Sequence, residues 1–168
     1  MRSPLRRDFT FENSDRWYAS ECYGLRLGFM EKGVQLDVMW HDHDLLEVAI
    51  AAWNGSFGGA VNVYVAIGEL KETADKLKGF PRSPTDKREF VFGQFGRKLG
   101  AVSMRFYCAD RAGHAYVELK IESGTQIAGV TQSVVLSVYI EPAALDSFVE
   151  DLCRLESDKA GTACLHAS

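Results

Sequence analysis

The sequence predicts an α+β domain: a large, twisted antiparallel sheet with two α-helices packed on one face, arranged as two similar halves. Three observations carry this. Apolar and polar residues alternate over long stretches, as they do in strands with one buried and one wet face. Two segments then switch from that period of two to helical spacing. Both make the switch in the same way, after a β-rich block: residues 61–67 run into a helix over 69–79, and residues 134–140 into a helix over 142–155. The likeness fits an internal duplication, and it fits equally well two segments obeying one rule for amphipathic elements.

The elements follow in chain order. Residues 1–20 mix charge with aromatics, and the alternation of Phe9 and Phe11 suits a short edge strand. Leu25, Leu27 and Phe29 share one side of a strand, Glu31-Lys32-Gly33 turns the chain, and Val34, Leu36 and Val38 share a face of the next. Leu46, Val48, Ile50 and Ala52 form a further inward row, followed by Asn54-Gly55, a dipeptide that closes hairpins because both residues tolerate positive φ. Val61, Val63, Val65 and Ile67 lead into a helix whose buried stripe is Leu70, Ala74 and Leu77, with Gly79 at its C-terminus. Glu72 and Lys76 have the spacing of a surface ion pair on that helix.

Pro81 and Pro84 break the chain, since neither a helix nor a central strand accommodates them. Phe90 and Phe92 alternate in the next strand, and Gly93, Gly96 and Gly100 punctuate a loop. Val102, Met104, Phe106 and Cys108 then face one way, with Ser103, Arg105 and Tyr107 opposite. After a turn at Asp110-Arg111-Ala112-Gly113, Ala115, Val117, Leu119 and Ile121 point inward against Tyr116, Glu118 and Lys120 on the wet side. Residues 123–133 read as a polar loop, and Val134, Leu136, Val138 and Ile140 as a strand. Pro142 suits the first turn of the last helix, whose stripe is Leu145, Phe148, Val149, Leu152 and Leu155. Residues 1–156 are expected to form a single domain, and 157–168 a flexible tail.

Composition narrows the function without naming it. With 168 residues, 46% hydrophobic and 25% charged, the chain has the material for one full core. A net charge of −4 argues against a nucleic-acid surface, which calls for a basic face. The four cysteines, Cys22, Cys108, Cys153 and Cys164, are scattered, without the short spacing that metal knuckles and redox motifs need. No stretch approaches the roughly 20 apolar residues of a membrane span, and the amino terminus lacks the apolar run of a signal peptide. A cytoplasmic protein is expected.

Four segments invite a chemical reading. His41-Asp42-His43-Asp44 places two imidazoles and a carboxylate close together, so His41, His43 and Asp44 are candidate metal ligands, with His114 or Glu47 to complete the set. The same tetrapeptide has the composition of a tight hairpin turn. Gly93-Gln94-Phe95-Gly96-Arg97-Lys98-Leu99-Gly100 mixes glycines with cations, but it matches neither phosphate-loop pattern and a strand follows it, so a hairpin loop is expected. Asp110, Arg111 and His114 cluster at a turn with no serine or cysteine placed as a nucleophile. Arg82, Lys87, Arg88, Arg97 and Lys98 would gather if both loops shared one end of the sheet. No cofactor is expected. The wet face, with Arg105, Tyr107, Tyr116, Glu118 and Lys120, has the composition of a protein-interaction surface.

The second half, a strand ending at Asp110-Arg111-Ala112-Gly113-His114, then Ala115-Tyr116-Val117-Glu118-Leu119, then Val138-Tyr139-Ile140-Glu141-Pro142 and a Phe/Leu-rich helix, resembles small bacterial α+β domains. Among these are WapI-type immunity proteins of contact-dependent toxin systems, and the resemblance spans about residues 44–156. It implies a non-enzymatic bacterial domain that binds another protein, a toxin domain being the partner expected, and it transfers no catalytic residue. The alternative is a small-molecule or metal-binding protein using a concavity of the sheet or the His41/His43 segment. A broad antiparallel sheet also offers an edge or its wet face for a homodimer.

Overall fold

The computed structural model describes residues 31–168 except Gly113, Ala128 and the side chains of 125–127. The strands expected around Phe9 and Leu25, and Cys22, lie outside the described residues. From residue 31 the order is β1 (Gly33–His41), β2 (Leu45–Trp53), β3 (Gly58–Ala66), α1 (Glu69–Leu77), β4 (Lys87–Gly93), β5 (Ala101–Cys108), β6 (Ala115–Ile127), β7 (Val130–Ile140), α2 (Pro142–Asp158) and β8 (Thr162–His166). The α+β class is as the alternation implies, and every strand pair is antiparallel.

The strands divide between two sheets of four, ordered β3-β2-β1-β8 and β4-β5-β6-β7. Alternation tells which side of a strand is buried and leaves its neighbour open, so it did not disclose this partition. After α1 the chain starts a new sheet, and β3 runs close to all four strands of it instead of pairing with β4. The inward rows of both sheets, including Leu46, Val48 and Ile50 on β2 and Val102, Met104 and Phe106 on β5, join one hydrophobic cluster. Within it the Phe106 ring meets Phe80 and Phe90 edge-on, with centroids 6.1 and 6.0 Å away.

Glycine permits the contact between the sheets. A Cβ at Gly100 would stand 2.0 Å from Val61 Cγ2 and 2.7 Å from the Asn62 carbonyl oxygen, and one at Gly59 would stand 2.8 Å from Val134 Cγ1. The bare backbone is what lets β3 approach β5 and β7 this closely.

The helices bury the stripes their spacing predicts: Leu70, Ala74 and Leu77 on α1, and Leu145, Phe148, Leu152 and Leu155 on α2. They pack on one another, and α2 packs on β8. Glu156 ties them together, its Oε1 accepting the Gly68 N–H at 2.7 Å just ahead of α1. At the other end of α1, Arg88 donates to the carbonyls of Lys76 and Lys78 while bound to Asp86 at 2.9 Å. Its guanidinium also lies 5.2 Å over the Phe80 ring. A cation at the carbonyl end of a helix meets the negative pole of its dipole.

Two expectations need correction. Residues 123–133 are not a loop: β6 and β7 continue as one long hairpin with a register shift between Glu122 and Gln126. Gly124 lies in that shifted stretch, where a Cβ would come 2.1 Å from the Lys98 carbonyl oxygen. The tail 157–168 is not free either. Lys159 turns the chain at φ 51° after α2, and β8 then pairs with β1 from Gly33↔His166 to Asp37↔Thr162. Ala163 and Leu165 enter the core, at 0% and 1% exposure. The sequence Thr162-Ala163-Cys164-Leu165-His166 alternates correctly, but five residues after a small, polar stretch are too few to stand out from a fraying end.

Three substitutions test this architecture by urea denaturation. Gly100→Ala is expected to cost about 2–3 kcal/mol, since its Cβ meets backbone as well as a side chain. Gly79→Ala, at φ 67° in open space, is expected to cost only about 1 kcal/mol. Leu165→Ala is expected to cost about 2–4 kcal/mol, the value for a core residue; an effect within a few tenths would mean that β8 does not dock.

Candidate functional site

The outer face of the second sheet is the richest surface among the described residues. Its register stacks the outward residues of β4, β5, β6 and β7 into rows. One row runs Lys87, Tyr107, Tyr116, Tyr139, the next Glu89, Arg105, Glu118, Ser137, and a third Val91, Ser103, Lys120, Val135. Cross-strand neighbours on one face stand within side-chain contact, so each row is a unit of interaction.

In the first row Tyr107 and Tyr116 stack, with centroids 4.9 Å apart and planes 16° from parallel, and Lys87 Nζ lies 5.4 Å over the Tyr107 ring. In the second, Arg105 is held between two carboxylates, 2.9 Å from Glu89 and 3.6 Å from Glu118. The Glu89 bond pushes the arginine pKa further up, keeping the guanidinium charged. The third row meets the β4–β5 loop. Gly96 N–H donates to Glu122 Oε1 at 2.6 Å, and this brings Phe95 back over the sheet, where Lys120 Nζ lies 4.6 Å from its ring centroid. Phe95, Val91 and Val135 then wall a shallow recess of about 320 Å³ whose floor includes Ser103, Arg105 and Glu118.

At the corner of this face, His114 sits between two carboxylates. Its Nδ1 is 2.6 Å from Asp110 Oδ2, its Nε2 is 3.3 Å from Glu141 Oε2, and its ring lies 5.9 Å from that of Tyr139. Asp110 also accepts the Ala112 N–H at 2.8 Å, closing the β5–β6 turn. Both ring nitrogens can donate only in the imidazolium form. The Asp110 bond, with further attraction from Asp110 and Glu141, raises the His114 pKa above its ordinary value of 6.5, and the Asp110 carboxyl is lowered in turn. Partial burial, then the charges of Asp110 and Glu141, raise the Tyr139 phenol. Beside this cluster, Cys108 Sγ donates to the Asp110 carbonyl at 2.9 Å.

His41 ends β1, paired with Leu46, and His43 and Asp44 lie in the turn to β2. Asp42 organises it, Oδ1 accepting the N–H groups of Asp44 and Leu45, each at 2.8 Å, which lowers the Asp42 carboxyl. His43 Nε2 contacts Asp44 Oδ2 at 2.8 Å. The two residues expected to complete a metal set are engaged elsewhere: Glu47 accepts from Asn62 at 2.9 Å, and His114 belongs to the other sheet. Among the described residues no group of three or more His, Cys, Asp or Glu is placed to hold a metal ion.

The five cations do not gather. Lys87 opens β4 and the loop carrying Arg97 and Lys98 follows its far end, about 20 Å away at the rise of a strand, while Arg88 is turned onto α1. Of the face residues, Glu89, Val91 and Tyr139 were readable as outward from their alternation with Phe90, Phe92, Val138 and Ile140. Phe95 carried no such signal, because a seven-residue loop and one backbone bond to Glu122 bring it to the site.

No family model, curated protein or solved structure matches this chain. No helix among the described residues is long and apolar enough to cross a membrane.

A histidine whose folded pKa is raised contributes stability fully below its unfolded value and loses that contribution as pH rises through the folded one. His114 is therefore expected to titrate above 6.5 by NMR and to fall back toward that value in Asp110→Asn, with the β5–β6 turn loosening on the alkaline side. A wild-type value at or below 6.5 would mean that the carboxylate clamp does not form in solution.

Proposed function

We propose that this chain is a non-enzymatic bacterial domain that binds another protein through the outer face of β4–β7, acting in the cytoplasm as an immunity-type inhibitor of a toxin domain. The observation that carries the reading is the exposed tyrosine row beside the arginine and the apolar-walled recess. Tyrosine and arginine supply most of the energy at protein interfaces, because each combines a large contact surface with a polar tip. Here they are held in place before any partner arrives, by stacking, by the Glu89–Arg105–Glu118 chain and by the Lys120–Phe95 contact. Pre-organisation lowers the entropy lost on docking. The charged groups of the recess compensate one another, which favours a protein surface over a charged small molecule as the occupant. The resemblance of residues 44–156 to WapI-type immunity proteins supports the same partner class.

Co-expression with toxin domains encoded near its gene tests this. The wild type is expected to restore growth and to co-elute with the toxin. Tyr116→Ala and Arg105→Ala are each expected to weaken the complex by about 2 kcal/mol, roughly thirtyfold. Absence of both protection and complex, or alanine variants that bind as well as wild type, would overturn the reading.

A further inference from the structure

Three of the four sheet edges are blunted. β3 is pressed along the second sheet. On β7, the Ser137 carbonyl accepts Asn54 Nδ2 at 3.2 Å and the Tyr139 carbonyl accepts the Ser168 N–H at 3.1 Å. β8 is five residues long, and its Cys164 N–H is given to Asp151 at 3.5 Å. An edge left open is a template for another strand, and proteins ordinarily cover it. β4 is the exception: seven residues whose main chain, outside its pairing with β5, has no hydrogen-bond partner among the described residues.

Beside β4 lies a groove of about 170 Å³, formed with Glu69, Glu72, Thr73 and Lys76 of α1. Four consecutive strand residues, 89–92, line its other side. Successive side chains of a strand point to opposite faces, so a groove touching all four runs along the strand's edge, beside its main chain. Phe90 and Phe92 themselves belong to the core. The lining carries three carboxylates, Glu69, Glu72 and Glu89; Lys76 pairs with Glu72 and Arg105 with Glu89, which leaves the charge of Glu69 in excess. Glu89 and Val91 also line the recess on the outer face, so groove and face are continuous.

We infer that this groove takes an extended, basic segment of the partner protein, added as a fifth strand beside β4. The main chain of β4 supplies the hydrogen bonds, and the α1 carboxylates Glu69 and Glu72 select lysine or arginine at the positions that face them. The inference rests on the protein-binding reading and names a second element of the partner, yet it can fail separately.

The probe is a fluorescent peptide of alternating lysine and valine, titrated into the full chain by anisotropy and followed by amide NMR. Expected are shifts and slowed exchange confined to β4 and α1. Binding is expected to weaken about tenfold in Glu69→Lys/Glu72→Lys and to disappear for the same peptide N-methylated at alternate amides, which cannot pair with a strand. That last comparison uses only wild-type protein and so does not depend on the variant folding. Tyr116→Ala is expected to leave peptide binding unchanged, which separates this inference from docking on the outer face. Equal binding of a glutamate–valine peptide or of the N-methylated peptide would overturn it. So would unperturbed β4 amides at millimolar peptide, or a dimer in which those amides are protected without peptide.

Discussion

The fold depends on how closely β3 can cross the second sheet. Two antiparallel sheets of four strands share one core only if their inner rows meet, and here the meeting is made by bare backbone at Gly59 and Gly100 under Val134 and Val61. Dispersion between apolar groups falls off within about an ångström, so a separation enlarged by one methyl group would cost much of the contact along β3. Everything downstream uses this crossing. It fixes where β3 ends, hence where α1 begins, and so the distance between α1 and the edge of β4.

How much of this the sequence disclosed depends on the range of the interaction. Local periodicity determined which residues face inward, and the stripes of α1, α2 and the second-sheet strands follow it closely. Strand neighbours are non-local, and nothing in the alternation of β3 says that it will cross a sheet instead of extending one. The glycines that permit the crossing resembled ordinary loop glycines, because the sequence shows a missing side chain but not what occupies the space. β8 carries little local signal for a related reason: its five residues pair with a strand more than a hundred positions away.

The outer face shows the same division. Arg105, Tyr107, Tyr116, Glu118 and Lys120 were legible as a wet face, and the register turns them from a composition into rows with defined partners. Phe95 and the Glu122 bond that places it were not legible, since they join a loop to a strand across the sheet. The histidine-rich tetrapeptide His41–Asp44 drew notice by residue type, whereas its shape comes from Asp42, whose two backbone bonds close the turn.

The pairing of β8 with β1 has a consequence for the order of assembly. The first sheet contains strands from both extremes of the described chain, while the second is continuous from residue 87 to 140. During synthesis all four strands of the second sheet are made before β8. They can pair through short connections at little entropic cost, whereas β1 must wait for a partner made after them. Until then one side of β1 is unsatisfied and the underside of α2 lacks the strand it packs on. The first sheet is thus half-built in a defined sense, and the short segment that looks least structured in the sequence is the one that completes that sheet.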